Sequence, residues 1–216
     1  MSQLEAYLLP SAFGQAEFTE KRSRFIGRVW PVASEEEALE HIRQTREMHR
    51  DATHNVYAYA VRSGSFMRYS DDGEPQGSSG IPALNVFRSA DIYDFCCVVT
   101  RYFGGILLGT GGLARAYSKA ASMALDEAGI SEKRLWSRIM TECPYSLYEK
   151  LKKELEQREA TICSSDFDPS VTLEVLVKKE MRPELEERIR DLSSGSVQTL
   201  FISDEYVAVP KTARES

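Results

Sequence analysis

Between residues 137 and 203 the chain alternates in a way that few folds accommodate: short apolar stretches of period two and longer stretches of helical period follow in the order strand, helix, strand, strand, helix, strand. The pattern predicts strands over 137–143, 160–166, 171–178 and 197–203 and helices over 146–158 and 182–192, with turns at Asp168-Pro169 and at Gly195. Two strand-helix-strand halves joined through adjacent strands are the signature of a ferredoxin-like βαββαβ unit. The halves form an internal repeat in pattern, not in sequence.

Such a unit uses less than half of the 216 residues, so the chain reads as two domains of α+β class, 1–133 and 134–216. In the first, residues 15–32 read as extended structure. Ser34 reads as an N-cap, and Glu35, Glu36 and Glu37 in the first turn predict a helix near 35–49. Residues 54–70 read as a hairpin broken at 63–65, 71–82 as a turn-rich loop, 83–90 as a short helix and 94–102 as a buried strand. Residues 103–112 (FGGILLGTGG) form a second glycine-rich loop that opens into a helix near Leu113, with Gly129 as its stop. The segment 130–136, poor in apolar residues before Trp136, reads as the linker.

Charge narrows the functional classes. A formal charge of −6, with both halves acidic, excludes a protein that coats nucleic acid through bulk positive charge, so any RNA contact must be local. No apolar run is long enough to span a bilayer, and the start lacks a secretory pattern, so a cytosolic protein without membrane contact is expected. The four cysteines, Cys96, Cys97, Cys143 and Cys163, show no CxxC spacing and read as reduced thiols, with Cys96 and Cys97 on opposite faces of a strand.

Residues with chemical potential concentrate in the two loops. Gly104, Gly105, Gly109, Gly111 and Gly112, with Thr110 among them, let backbone N–H groups approach an anion at a helix N-terminus. Their spacing fits neither a dinucleotide fingerprint nor a P-loop, and turn-making glycines are the plain alternative. Thr100, Arg101 and Tyr102 stand where the buried strand emerges beside this loop, and Arg115 and Lys119 lie one turn apart on the helix that follows. Asp71, Asp72, Gly73 and Glu74 cluster in the other loop. They suit a hard cation, general acid–base work or simple turn making, but lack the spacing of a calcium loop. His54 begins a strand and is the histidine outside the 35–49 helix. No nucleophile elbow, HExxH or Cys-His-Asn set is present, so no metal, cofactor or catalytic residue is assigned.

Four blocks, KRSRFIG at 21–27, THNVYAY at 53–59, SDDGEPQGSSGIP at 70–82 and VVTRYFGGILLGTGGLARAYSKAA at 98–121, closely resemble the YigZ/IMPACT family. The resemblance implies, for residues 1–133, the fold shared by the second domain of a small-subunit ribosomal protein and domain IV of elongation factor G. For the remainder it implies the smaller C-terminal domain that bacterial members append. It also implies a link to regulation of translation, known for eukaryotic relatives, and leaves the partner open: ribosome, RNA or a translation factor.

Two functional classes follow. In one, the loops bind RNA or a translation partner, with Arg24, Arg101, Arg115 and Lys119 on phosphates and Tyr102 or Phe103 as a stacking face. In the other, the chain is an enzyme on a phosphorylated or nucleotide substrate, with Gly104–Gly112 cradling the anion and Asp71, Asp72 or Glu74 as base or metal ligand. The first is preferred, because no catalytic machinery is identifiable.

Overall fold

The computed structural model describes residues 6–62 and 66–210, and the predicted turn at 63–65 lies outside them. The chain divides into two compact units, one built on residues 7–132 and one on 133–207.

The first unit carries β1 (Ala6–Pro10), β2 (Gly14–Glu20), β3 (Ser23–Pro31), α1 (Glu35–Met48), β4 (His54–Val61), β5 (Phe66–Ser70), α2 (Gly80–Ser89), β6 (Phe95–Tyr102) and α3 (Thr110–Ala128). Strands β2 to β6 form one antiparallel sheet in the order β2-β3-β6-β4-β5. Helices α2 and α3 cover one face through Phe25, Val29, Val56, Phe87, Val99 and Tyr117, while Ala38 and Ile42 of α1 cover Tyr59, Cys96 and Val98 on the other. With both faces covered, β6 is almost wholly buried, which explains its unbroken apolar run. Cys96 and Cys97 fall in opposite cores, as the period of a strand requires.

Helix α3 sits close to the sheet because alanine dominates its inner face. A Cβ built at Gly27 would fall 2.3 Å from the carbonyl oxygen of Ala120, so the strand must offer glycine where the helix offers its backbone. The α1 start follows expectation: Ser34 Oγ accepts from the Glu37 amide at 3.2 Å and Glu37 Oε2 accepts from the Ala33 amide at 2.6 Å, a reciprocal cap.

Three local readings are corrected. Residues 15–32 form two strands joined by a tight turn, Lys21 and Arg22, whose φ values of +45° and +66° are left-handed. Neither residue advertises that conformation, so the hairpin was hidden. Helix α3 begins at Thr110, not Leu113: Gly109 at φ +70° is the cap, and Gly111 and Gly112 belong to the first turn. The expected linker at 130–136 is instead the start of β7 (Ile130–Cys143); its side chains find polar partners such as Ser11 for Ser131 and Glu180 for Arg134, so few apolar residues are needed.

The second unit follows β7 with α4 (Tyr145–Gln157), β8 (Thr161–Phe167), β9 (Val171–Lys178), α5 (Arg182–Leu192) and β10 (Thr199–Pro210). Within this unit β10 pairs with β7, and β7, β9 and β8 follow one another in that order, as in a ferredoxin-like unit. Strand β9 alternates strictly, and its Val171, Leu173, Val175 and Val177 meet Leu151, Leu155, Leu185 and Ile189 of the two helices in one core.

Candidate functional site

At one end of the first sheet, β3 and β4 begin and β6 finishes, in a register that sets Arg24 beside Tyr102 and His54 beside Arg101. Both glycine-rich loops and the start of α3 gather at this end.

The acidic loop is organised by its own carboxylates. Asp71 accepts from the amides of Gly77 at 2.7 Å, Gly80 at 2.8 Å and Ser79 at 3.1 Å, and from the Ser79 hydroxyl at 2.6 Å. Burial raises this carboxyl, but the converging donors more than offset it, so Asp71 stays below the usual carboxylate range. Asp72, at φ +46°, accepts from the Asn55 amide and from Arg46, both at 2.6 Å. Its carbonyl accepts from His54 Nδ1 at 2.8 Å, and Gly73, which follows at φ +88°, holds a backbone conformation that side chains disfavour.

Glu74 and Arg101 turn inward. Their side chains are 4% and 5% exposed, with Arg101 Nη1 donating to Glu74 Oε1 at 2.6 Å. Tyr117 donates to the same oxygen at 2.8 Å, and His54 Nε2 lies 3.8 Å from Glu74 Oε2. Burial and the carboxylate beside it push the Tyr117 phenol far up, so it remains a donor. Arg101 also reaches Ser23 Oγ at 3.3 Å and lies between Phe25 and Phe103, its guanidinium carbon 5.5 and 5.4 Å from the ring centroids. The guanidinium expected to meet phosphate is therefore spent inside the protein. Thr100, fully buried, donates to Asn55 Oδ1 at 2.9 Å and likewise belongs to the framework.

On the α1 side of the sheet lies a second network that the sequence reading missed. Arg28, 6% exposed, donates to Gln15 Oε1 at 2.8 Å and to His49 Nε2 at 2.6 Å; His49 Nδ1 donates to Tyr102 Oη at 2.8 Å, which donates to Asp51 at 3.3 Å. Only a neutral His49 satisfies every member of this chain. Burial, then the charge of Arg28, lowers its pKa accordingly.

What faces solvent includes cations and an aromatic ring. Arg24 is exposed and paired with Glu17 at 2.6 Å, and Phe103 is 45% exposed. Gly104 is pressed against the β2–β3 turn, where a Cβ would fall 2.1 Å from the Arg22 carbonyl, and its amide donates to Ser23 Oγ at 3.2 Å. Gly105 and Gly109, both at positive φ, have open space around them. Between this turn and α3 runs a cleft of ≈ 230 Å³ lined by Phe18, Lys21, Leu108, Gly112, Arg115 and Lys119, with Glu20 and Ala116. Thus the structure brings Arg115, Lys119 and Gly112 to one cleft, adds Phe18, Lys21 and Leu108, withdraws Arg101, Thr100 and Glu74 to the interior, and leaves Asp71 half-buried. Among the described residues no group of three or more histidine, cysteine, aspartate and glutamate side chains is disposed to hold a metal ion. No helix there is long and apolar enough to cross a membrane.

Residues 21–125 match the Impact N-terminal domain and residues 141–196 a domain of unknown function, DUF1949. "IMPACT family member YvyE" of Bacillus subtilis is 35% identical over 89% of both chains. The chain belongs to the IMPACT family. Among other members, "IMPACT family member YigZ" of Escherichia coli is 32% identical over 93% of this chain and its own full length, whereas "Protein IMPACT" of Rattus norvegicus is 30% identical over 49% of this chain and 34% of its own. A solved structure titled "Crystal structure of an hypothetical protein" is 31% identical, covers 93% of this chain and 99% of its own, and superposes with a TM-score of 0.59. The match to the rat protein is thus confined to part of this IMPACT chain, and the two bacterial relatives extend over both units.

Proposed function

We propose that this IMPACT-family protein is a translation-associated RNA-binding protein of the cytosol that engages RNA or the ribosome through the exposed end of its first unit. The observation that carries this reading is a local one. In a chain of net charge −6, where many arginines sit against carboxylates, Lys21 and Arg115 make no ion pair among the described residues, and Lys119 lies over the ring of Phe18. Cations left without carboxylates at the rim of a cleft are suited to phosphate. The exposed Phe103, next in sequence to the Gly104 that presses on the β2–β3 turn, offers a flat face for a base. The link to translation comes from the family resemblance and is an analogy of fold, not of site.

Catalysis on a phosphorylated substrate finds less support, because the acids it requires are engaged: Asp71 by four donors and Glu74 by Arg101 and Tyr117.

Co-sedimentation with ribosomes and anisotropy with labelled single-stranded RNA, each across a salt series, test the proposal. Arg115→Ala with Lys119→Ala should weaken association about tenfold and flatten the salt dependence by about 1.4 in log–log slope, roughly 0.7 for each lost phosphate contact. Both side chains are exposed, so the melting temperature should hold. A wild-type protein that binds neither ribosome nor RNA at low salt refutes the reading.

A further inference from the structure

The cleft between the β2–β3 turn and α3 is more selective in shape and charge than general affinity for RNA requires. Three cations, Lys21, Arg115 and Lys119, converge on ≈ 230 Å³, against Glu20 as the carboxylate among the lining residues. Their charges come from two different elements, a tight turn and a helix face, each fixed for its own reason: the turn by pairing of β2 with β3, the helix by its alanine face. Phe18 forms one wall; its ring stacks on Phe25 at 5.3 Å, while Lys119 Nζ lies 4.4 Å from its centroid and is held over the cleft. Leu108 adds a second apolar side chain to the lining.

The charge balance distinguishes between two kinds of phosphate. A backbone diester carries a single negative charge and continues on both sides, whereas a terminal phosphomonoester carries about −1.5 to −2 at pH 7. Three cations less one carboxylate match the second. The cleft holds apolar walls next to those cations, which a bare inorganic anion would leave unused. The first turn of α3 adds in the same sense: its cap, Gly109, has no side chain to occupy the leading amides, and no acid stands in that turn.

We propose that this cleft is a pocket for the terminal phosphate monoester of a nucleotide, with Lys21, Arg115 and Lys119 on the phosphate oxygens and Phe18 and Leu108 against the sugar and base. This rests on the RNA-binding reading above and narrows it from the backbone to a chain end. The same chemistry is offered by a phosphorylated RNA terminus and by a free mononucleotide.

The full-length protein is titrated with one short RNA bearing either a 5′-phosphate or a 5′-hydroxyl, and with AMP. The 5′-phosphorylated RNA should bind about 10- to 100-fold more tightly than its hydroxyl counterpart, the range of one or two charge-assisted contacts. Arg115→Ala with Lys119→Ala should erase the difference while affecting the hydroxyl RNA less. Should that double variant lose melting temperature, Lys21→Gln, in the turn instead of the helix, makes the same comparison. AMP that binds and displaces phosphorylated RNA supports the pocket with either source as occupant. AMP binding with no affinity for either RNA keeps the pocket, assigns it to a free nucleotide and refutes the RNA reading. Equal affinity for the two RNAs overturns the pocket and leaves RNA binding intact, and failure of all three probes overturns both.

Discussion

Replacing Arg101 by alanine is the most informative single change, because two readings of the same residue demand opposite results. Were its guanidinium a surface contact to phosphate, the substitution would weaken binding and leave stability within about 0.5 kcal/mol, as for ordinary surface positions. The structure demands instead a stability defect. Glu74, with a side chain 4% exposed, would lose its 2.6 Å partner and keep only Tyr117 at 2.8 Å and the more distant His54. Removing one member of a buried ion pair costs about 3–5 kcal/mol, most of it the penalty of the stranded charge. With a urea m-value of about 1–3 kcal/mol/M, the midpoint should fall by at least about 1 M. Urea unfolding followed by circular dichroism measures this directly. The cause is checked by adding Glu74→Gln, which removes the stranded charge: the double variant should recover more than half of the loss, a coupling that independent sites do not show. An Arg101→Ala protein as stable as wild type, or a double variant that is the sum of its parts, would refute the buried-pair argument.

Four further expectations follow from named contacts. Asp71→Ala removes the acceptor of four donors and should cost about 1–3 kcal/mol while loosening the 71–79 loop to protease; a protein of unchanged stability and protease resistance would contradict it. Because its folded-state pKa is depressed, His49 contributes stability that is full above the ordinary value of about 6.5 and is lost as pH falls through its lower folded value; a His49→Asn variant should show a flatter urea midpoint between those pH values, and an unchanged slope would count against the neutral-imidazole chain. Among the thiols, Cys163 should react promptly with a thiol reagent in the native protein, whereas Cys97, buried and pushed up to about 12, should react only on unfolding. Finally, we propose residues 1–133 and 134–216 as separately folding domains: each expressed alone should unfold in a cooperative transition, and a fragment without one would remove that division.

How much of this was legible in the sequence depended on whether the deciding contact was local. The ferredoxin-like half was readable because strand and helix periods there are strict, β9 being the clearest case. The cap at Ser34 was readable because its partner is three residues away. Lys21 and Arg22 gave no such signal: a left-handed pair is ordinarily written with asparagine and glycine, and here the pairing of β2 with β3 imposes it. Arg28 and His49 lie 21 residues apart and meet only because α1 returns across the sheet, a juxtaposition that no local pattern encodes.

Arg101 is the instructive case, since the sequence did carry the signal. Period two along 95–102 puts Arg101 on the same face as Cys97 and Val99, and an apolar run with no polar side has both faces covered. Its position at the strand end suggested exposure, yet Tyr117 of α3 and Glu74 of the loop extend the cover past Val99, and Glu74, itself bonded by Tyr117, supplies the carboxylate that a buried guanidinium needs. The consequence reaches the surface. By tying the 71–79 loop, β6 and α3 to one another, the buried pair fixes the helix that carries Arg115 and Lys119, while Ser23, bonded to both Arg101 and the Gly104 amide, fixes the turn that carries Lys21. Inward-turned charges thus set the spacing of the outward ones. For that reason the cations of the cleft can be removed singly at little cost in stability, whereas Arg101 cannot be removed without disturbing the surface that it does not itself touch.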